Sequence, residues 1–132
     1  MFRLGRRAVS ALEFAIVAPL LVVLMVAASD FGSALQQATR LETAARAGAQ
    51  YALGFPTNQA GIEDATRAGL PPEWQAGTTV AAQCRCGAVV QACSAACTGE
   101  FRVTITTRRA FEPLFFFILP NELAGDATVR IR

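Results

Sequence analysis

The sequence predicts an α+β chain: a long N-terminal helix, membrane-spanning in its first half, packed on a small antiparallel sheet domain stapled by disulfides. Three observations predict it. Residues 9–28 form a run whose strongly polar members are Ser10 and Glu13. Past that run, apolar residues recur at helical steps as far as Ala52. Further on, four closely spaced cysteines precede segments in which apolar and polar residues alternate with a period of two.

The apolar run comes first. As a helix rising ~1.5 Å per residue it covers ~30 Å, the thickness of a bilayer's hydrocarbon core. Its Val, Leu, Ile and Phe side chains contribute roughly 3 to 7 kcal/mol toward insertion, at ~0.3 to 0.6 kcal/mol each. A carboxylate at the membrane centre costs roughly 2.5 to 3.5 kcal/mol, and Glu13 stands nearer one end, where the penalty is smaller. Insertion therefore survives the charge. Pro19 removes one helical hydrogen bond, which membrane helices tolerate, and a gentle kink is expected there. Arg3, Arg6 and Arg7 precede the run with no acid among them, whereas the first charge after it is Asp30. By the positive-inside rule the N-terminus stays cytoplasmic and the chain after Ser29 lies outside.

The helical period continues beyond the membrane run. Phe31, Leu35, Ala38, Leu41, Ala45, Ala49 and Ala52 draw one apolar stripe, and Glu42 and Arg46 form an i,i+4 pair on the other side. Gly54 and Pro56 signal the stop. One continuous rod over residues 9–53 extends ~68 Å, with Gly32 as a flexible point. The stripe has two uses, packing against the chain's own C-terminal domain and lateral packing against sister helices. Alanine suits both, because small residues let backbones approach closely.

Residues 55–132 form the remaining α+β domain. The segment "NQAGIEDATRAG", residues 58–69, reads as a short helix, and Pro71-Pro72 as a breaker. Residues 78–83 read as a strand and residues 88–91 as a weaker one. Phe101, Val103 and Ile105 alternate with Arg102, Thr104 and Thr106; Val129 and Ile131 alternate with Arg130 and Arg132. Both are signatures of half-buried strands. Residues 114–119 are six consecutive apolar residues, too few to cross a bilayer. They are expected to fill the sheet's core; the alternative is an exposed patch against the membrane or a neighbouring subunit.

Composition bounds the function. A chain of 132 residues has one-domain length, and 53% hydrophobic residues with mean hydropathy +0.37 is high for a soluble protein of that size. Net charge is +2, but without the three N-terminal arginines nine Arg face ten acids, a balance of −1. The basic excess is thus a topology signal and not a nucleic-acid footprint. The absence of histidine removes the imidazole base of serine and cysteine hydrolases and the commonest metal ligand. No P-loop, dinucleotide fingerprint, G-x-S-x-G or H-E-x-x-H occurs, and Glu63-Asp64 reads as a solvated helix face. No enzyme, cofactor or metal is expected.

Cys84, Cys86, Cys93 and Cys97 follow the pattern C-x-C-x6-C-x3-C. The pattern lacks the paired C-x2-C knuckles of zinc ribbons and the C-x-x-C of redox motifs, and the topology puts these thiols in an oxidising space. Two disulfides are the expected outcome. Three pairings exist on paper. A Cys84–Cys86 bridge would be strained, and of the other two the nested one, Cys84 with Cys97 and Cys86 with Cys93, is expected.

The segment "RRAVSALEFAIVAPLLVVLMVAASDFG" resembles the N-terminus of the TadE-like family, minor pilins or pseudopilins of tight-adherence (Tad/Flp) pili within the type IV pilin class. Arg6-Arg7, the lead-in, Glu13-Phe14, Pro19 and Asp30-Phe31-Gly32 carry the resemblance. It implies a pilin-like fold and a cut by a membrane prepilin peptidase, with glutamate at the fifth mature position. Carried over, Ala8 ends the leader and Val9 begins the mature chain; the family usually has glycine where this chain has Ala8. The resemblance also implies that Glu13, with Phe14 beside it, registers subunits during assembly by pairing with a subunit's N-terminal amine.

The expected organisation is a cytoplasmic leader over residues 1–8, a transmembrane and extended amphipathic helix over 9–54, and an extracytoplasmic domain over 55–132. The expected function is structural. The chain would sit in the bacterial inner membrane as a single-pass subunit and act in pilus biogenesis and surface adhesion, with passage into an extracellular pilus as a further step. Its partners would be the membrane, the prepilin peptidase, other pilin subunits and the Tad machinery, with neither nucleic acid nor a small-molecule substrate. The alternative is a small secreted binding domain with residues 1–28 as a signal peptide, cut after Val26-Ala27-Ala28. Glu13, Pro19, the run's length and the unbroken stripe argue against it.

Overall fold

A computed structural model describes residues 6–113 and 120–131, with side chains from residue 11 onward. One helix, α1 (Arg6–Gly54), runs unbroken through Pro19 and Gly32. After a short turn come α2 (Gln59–Ala68) and α3 (Pro72–Gln75), then four strands: β1 (Thr78–Cys86), β2 (Val89–Gln91), β3 (Phe101–Ala110) and β4 (Glu122–Arg130). The sheet is antiparallel throughout, in the order β2-β1-β3-β4. The α+β architecture of a long apolar helix on a small disulfide-bonded sheet is therefore as predicted.

Local chemistry sets the boundaries. At the start of α2 the Asn58 side chain accepts a hydrogen bond from the Gly61 N–H at 3.1 Å, satisfying one of the helix's orphan donors. The Pro71-Pro72 pair that reads as a breaker also starts α3, because Pro72 at the first helical position loses no bond the helix needs. In β3 the side chains of Phe101, Val103, Ile105 and Thr107 are buried while the alternate ones face outward. The free flank of β1 is met by α2, whose Glu63 carboxylate accepts from the Ala82 N–H at 3.4 Å. This blunts a strand edge that would otherwise invite pairing.

The last strand begins earlier than the alternation of Val129 and Ile131 indicates and ends before Ile131. Its first seven residues, "ELAGDAT", include Ala124, Gly125 and Ala127, small because α1 crosses the strand closely. A Cβ placed on Gly125 would lie 2.6 Å from the Leu41 carbonyl carbon. Small size, required by the crossing, hides the strand from propensity.

The core lies between α1 and the inner sheet face, in two clusters. Nearer the apolar run, Ala34, Leu41 and Ala44 meet Leu70, Val80, Phe111 and Leu123. Farther along, Ala45 and Ala52 meet Ile62, Val103, Ile105 and Phe101. Complete burial of Leu41, Ile62, Val103 and Ile105 contributes roughly 1.5 to 3 kcal/mol per side chain. The helical stripe is thus divided. Leu41, Ala45 and Ala52 are core, but Phe31 and Leu35 are 56% and 51% exposed, and the buried line instead starts at Asp30 and Ala34.

The disulfides correct the nested pairing: the bonds are Cys84–Cys93 and Cys86–Cys97. The reason is the path of the chain. Gly87, at φ +58°, turns β1 into β2, with Cys86 opposite Val89 and Cys84 opposite Gln91. The segment after Gln91 turns back at residues 92–95, where the Ala95 N–H donates to the Ala92 carbonyl. It then passes Cys84 and Cys86 in the same order as β1 itself. Nesting would require a simple hairpin over residues 84–97, and the chain folds back twice.

The β3–β4 connection closes with Ala110 opposite Glu122 and the Phe111 N–H donating to the Asn121 carbonyl at 2.8 Å. Its apolar centre, residues 114–119, lies outside the described residues, so neither the core placement nor the exposed patch is tested. The flanking Phe111, Pro113 and Leu123 are buried.

Candidate membrane-anchoring and assembly surface

Among the described residues one helix, α1, is long and apolar enough to cross a membrane, and its apolar window is wholly exposed. The sheet domain packs on the part of α1 from Asp30 onward and leaves the preceding turns bare. Large apolar side chains therefore point outward all round this stretch: Leu12, Phe14, Ile16, Leu20 and Met25 are each at least 60% exposed. A helix apolar on every side is stable only inside lipid or among other apolar helices. That distribution suits a membrane anchor, with a folded head on the far half of the helix.

The residues singled out in the sequence fall on this anchor. Glu13 and Phe14 are exposed on α1, and Glu13 is the one charged residue in the bare stretch between residues 11 and 29. Arg6, Arg7, Ala8 and Val9 belong to the first turns of α1; their side chains, and Arg3 altogether, lie outside the described residues. Val9 and Glu13 stand four residues apart on one helix, hence one above the other on the same face. The four cysteines lie at the opposite end of the molecule and staple the β1–β2 region.

Where bare helix becomes packed helix, the chemistry changes abruptly. Asp30 is buried, and the Ser33 hydroxyl donates to its carbonyl at 2.9 Å. Asp30, Ser33 and Gln37 line one wall of a cleft of about 660 Å³; Arg109 and Glu112 line the other. The Arg109 guanidinium lies 4.8 Å from the Trp74 ring centre and donates to the Trp74 carbonyl at 3.4 Å, while Arg40 approaches the same ring at 5.5 Å. This polar collar begins at Asp30, two residues after Ala28, where the apolar run ends. Sequence reasoning noted Asp30 as the first charge after the run but missed its burial, because the side that faces the domain depends on where β3 and β4 pack.

The fold and surface define a class: a long helix, bare and apolar in its first half, that continues into a rod bearing a disulfide-bonded α+β head. The particular relationship is found in the anchor. Residues 8–50, about a third of the chain, match the family model described as TadE-like protein, so the resemblance carried by residues 6–32 is found independently. The match spans the bare helix, the collar and most of the packed helix, and it ends before the sheet domain. No curated protein matches the chain, and no solved structure matches it.

Proposed function

We propose that the protein is a structural subunit of the Tad pilus system, a TadE-like minor pilin or pseudopilin held in the inner membrane by the first half of α1. Its head would face outward. The observation that carries this reading is that the TadE-like match coincides with an exposed apolar helix bearing a lone carboxylate. Prepilin peptidase would cut between Ala8 and Val9, generating an ammonium one helical turn from Glu13. Opposite charges at that spacing lower each other's cost near lipid. In an assembly, the amine of a neighbouring subunit can occupy the same place, which makes Glu13 a register mark between subunits. Phe14 and the bare helix around it would supply the apolar contact, and Phe31 and Leu35 extend that surface above the membrane.

The test is Glu13→Ala expressed in the native host. The variant inserts and accumulates in membranes at the wild-type level but is lost from sheared pili and from crosslinks to other pilins. Normal incorporation of Glu13→Ala would remove the proposed role of the carboxylate. A wild-type chain missing its first 28 residues would favour the secreted-domain alternative.

A further inference from the structure

The outer face of the sheet carries a feature that neither anchoring nor assembly uses. Arg85 on β1 pairs in register with Arg102 on β3, and Arg102 with Arg130 on β4. Side-chain alternation puts all three on the face turned away from α1. Three guanidiniums therefore stand in one row across three adjacent strands, about 10 Å from first to last at ~4.8 Å per strand. Like charges directly opposite one another destabilise a sheet.

Glu100 compensates part of this charge. Its carboxylate accepts from Arg102 Nε and lies 3.3 Å from Arg130 Nε. Arg85 has no ion pair among the described residues, so the row keeps an excess of positive charge. The next row on the same face is Gln83, Thr104 and Thr128, with the two threonine hydroxyls 3.0 Å apart. A charged row and a hydrogen-bonding row thus run side by side across the outer face of the sheet.

We infer that this face docks an acidic polysaccharide, its carboxylates on Arg85, Arg102 and Arg130 and its hydroxyls on Gln83, Thr104 and Thr128. A row of three in-register guanidiniums across adjacent strands fits an extended polymer with repeating anionic groups, and planar guanidiniums bind carboxylates in bidentate fashion. Anionic lipid is a poor fit by position. The row lies at the level of the Ala45 and Ala52 core cluster, and Ala52 is about 36 Å along the helix from Ala28. Single-stranded nucleic acid is a poor fit by chemistry, because no aromatic side chain stands on the outer face of β1, β3 or β4 to stack a base. The preference for polysaccharide over duplex DNA rests on the extracytoplasmic placement proposed above.

The test uses the purified full-length protein in neutral detergent, with binding to immobilised alginate, dextran and duplex DNA measured over a salt series. Alginate binds, more weakly as salt rises, and dextran does not. Arg85→Gln weakens alginate binding about tenfold at low salt, and Arg85→Gln/Arg130→Gln abolishes it and flattens the salt dependence. Glu100→Gln binds several-fold more tightly, a gain that disturbed folding would not produce; Trp74 fluorescence checks that each variant stays folded. Wild-type affinity in the double variant, equal binding to dextran, tighter binding to DNA than to alginate, or no binding at all would each overturn the inference. Because no pilus is needed, these outcomes are independent of the Glu13→Ala result.

Discussion

At Gly125 the space for a side chain is already taken by the α1 backbone at Leu41 and Glu42. Backbone cannot rotate away as a side chain can, so Gly125→Ala should destabilise the head by about 1 to 3 kcal/mol, read from the denaturant midpoint of Trp74 fluorescence. Gly32 is the opposite case. Nothing lies within 4 Å of a Cβ built there, and the residue is mid-helix, so Gly32→Ala should be neutral or stabilise by up to about 1 kcal/mol. Thr78 is buried with a hydroxyl that has no partner among the described residues. Thr78→Val keeps the shape and removes the unsatisfied group, and should stabilise the head by about 1 kcal/mol, read from the same midpoint. Glu100 has a defined pH signature. The hydrogen bond from Arg102, with the charges of Arg102 and Arg130, holds its carboxyl below the ordinary value of 4.5. A depressed folded-state pKa gives stability that is present above that ordinary value and lost as pH falls through the depressed one. The acid-side decline in unfolding midpoint should therefore be shallower in Glu100→Gln than in the wild type.

At the scale of elements, the crossed disulfides are the most direct check on the chain path around β2. Trypsin cuts after Arg85 and separates Cys84 from Cys86, so non-reducing digestion with tandem mass spectrometry distinguishes the pairings. Cys84–Cys93 is expected, and Cys84–Cys97 would contradict the double turn. Removing that bridge as Cys84→Ser/Cys93→Ser should cost about 2 to 3 kcal/mol on the chain-entropy estimate for so short a loop. The pairing was beyond sequence reasoning because spacing cannot say whether residues 84–97 fold back once or twice. The elements themselves were largely legible. The segment over residues 58–69 that reads as a short helix contains α2, and the alternation of Phe101, Val103 and Ile105 marks β3. What stayed hidden depended on partners distant in sequence: the small residues of early β4, the exposure of Phe31 and Leu35, and the alignment of three arginines far apart in the chain.

The whole molecule joins two kinds of surface along one helix. Its bare half has the surface of a membrane span, its packed half has the small-residue face of a protein core, and the collar at Asp30 marks the change. Glu13 and the apolar run were visible in the sequence because a charge in a hydrophobic stretch needs no tertiary information to stand out. On the function proposed above, this rod stays in the finished protein as an anchor. The most direct test is the intact mass of the protein from washed membranes, in cells with and without prepilin peptidase. The expected result is a membrane-held chain that begins at Val9 when the peptidase is present and keeps its leader when it is absent. A freely soluble chain beginning at Ser29, whatever the peptidase status, would contradict it.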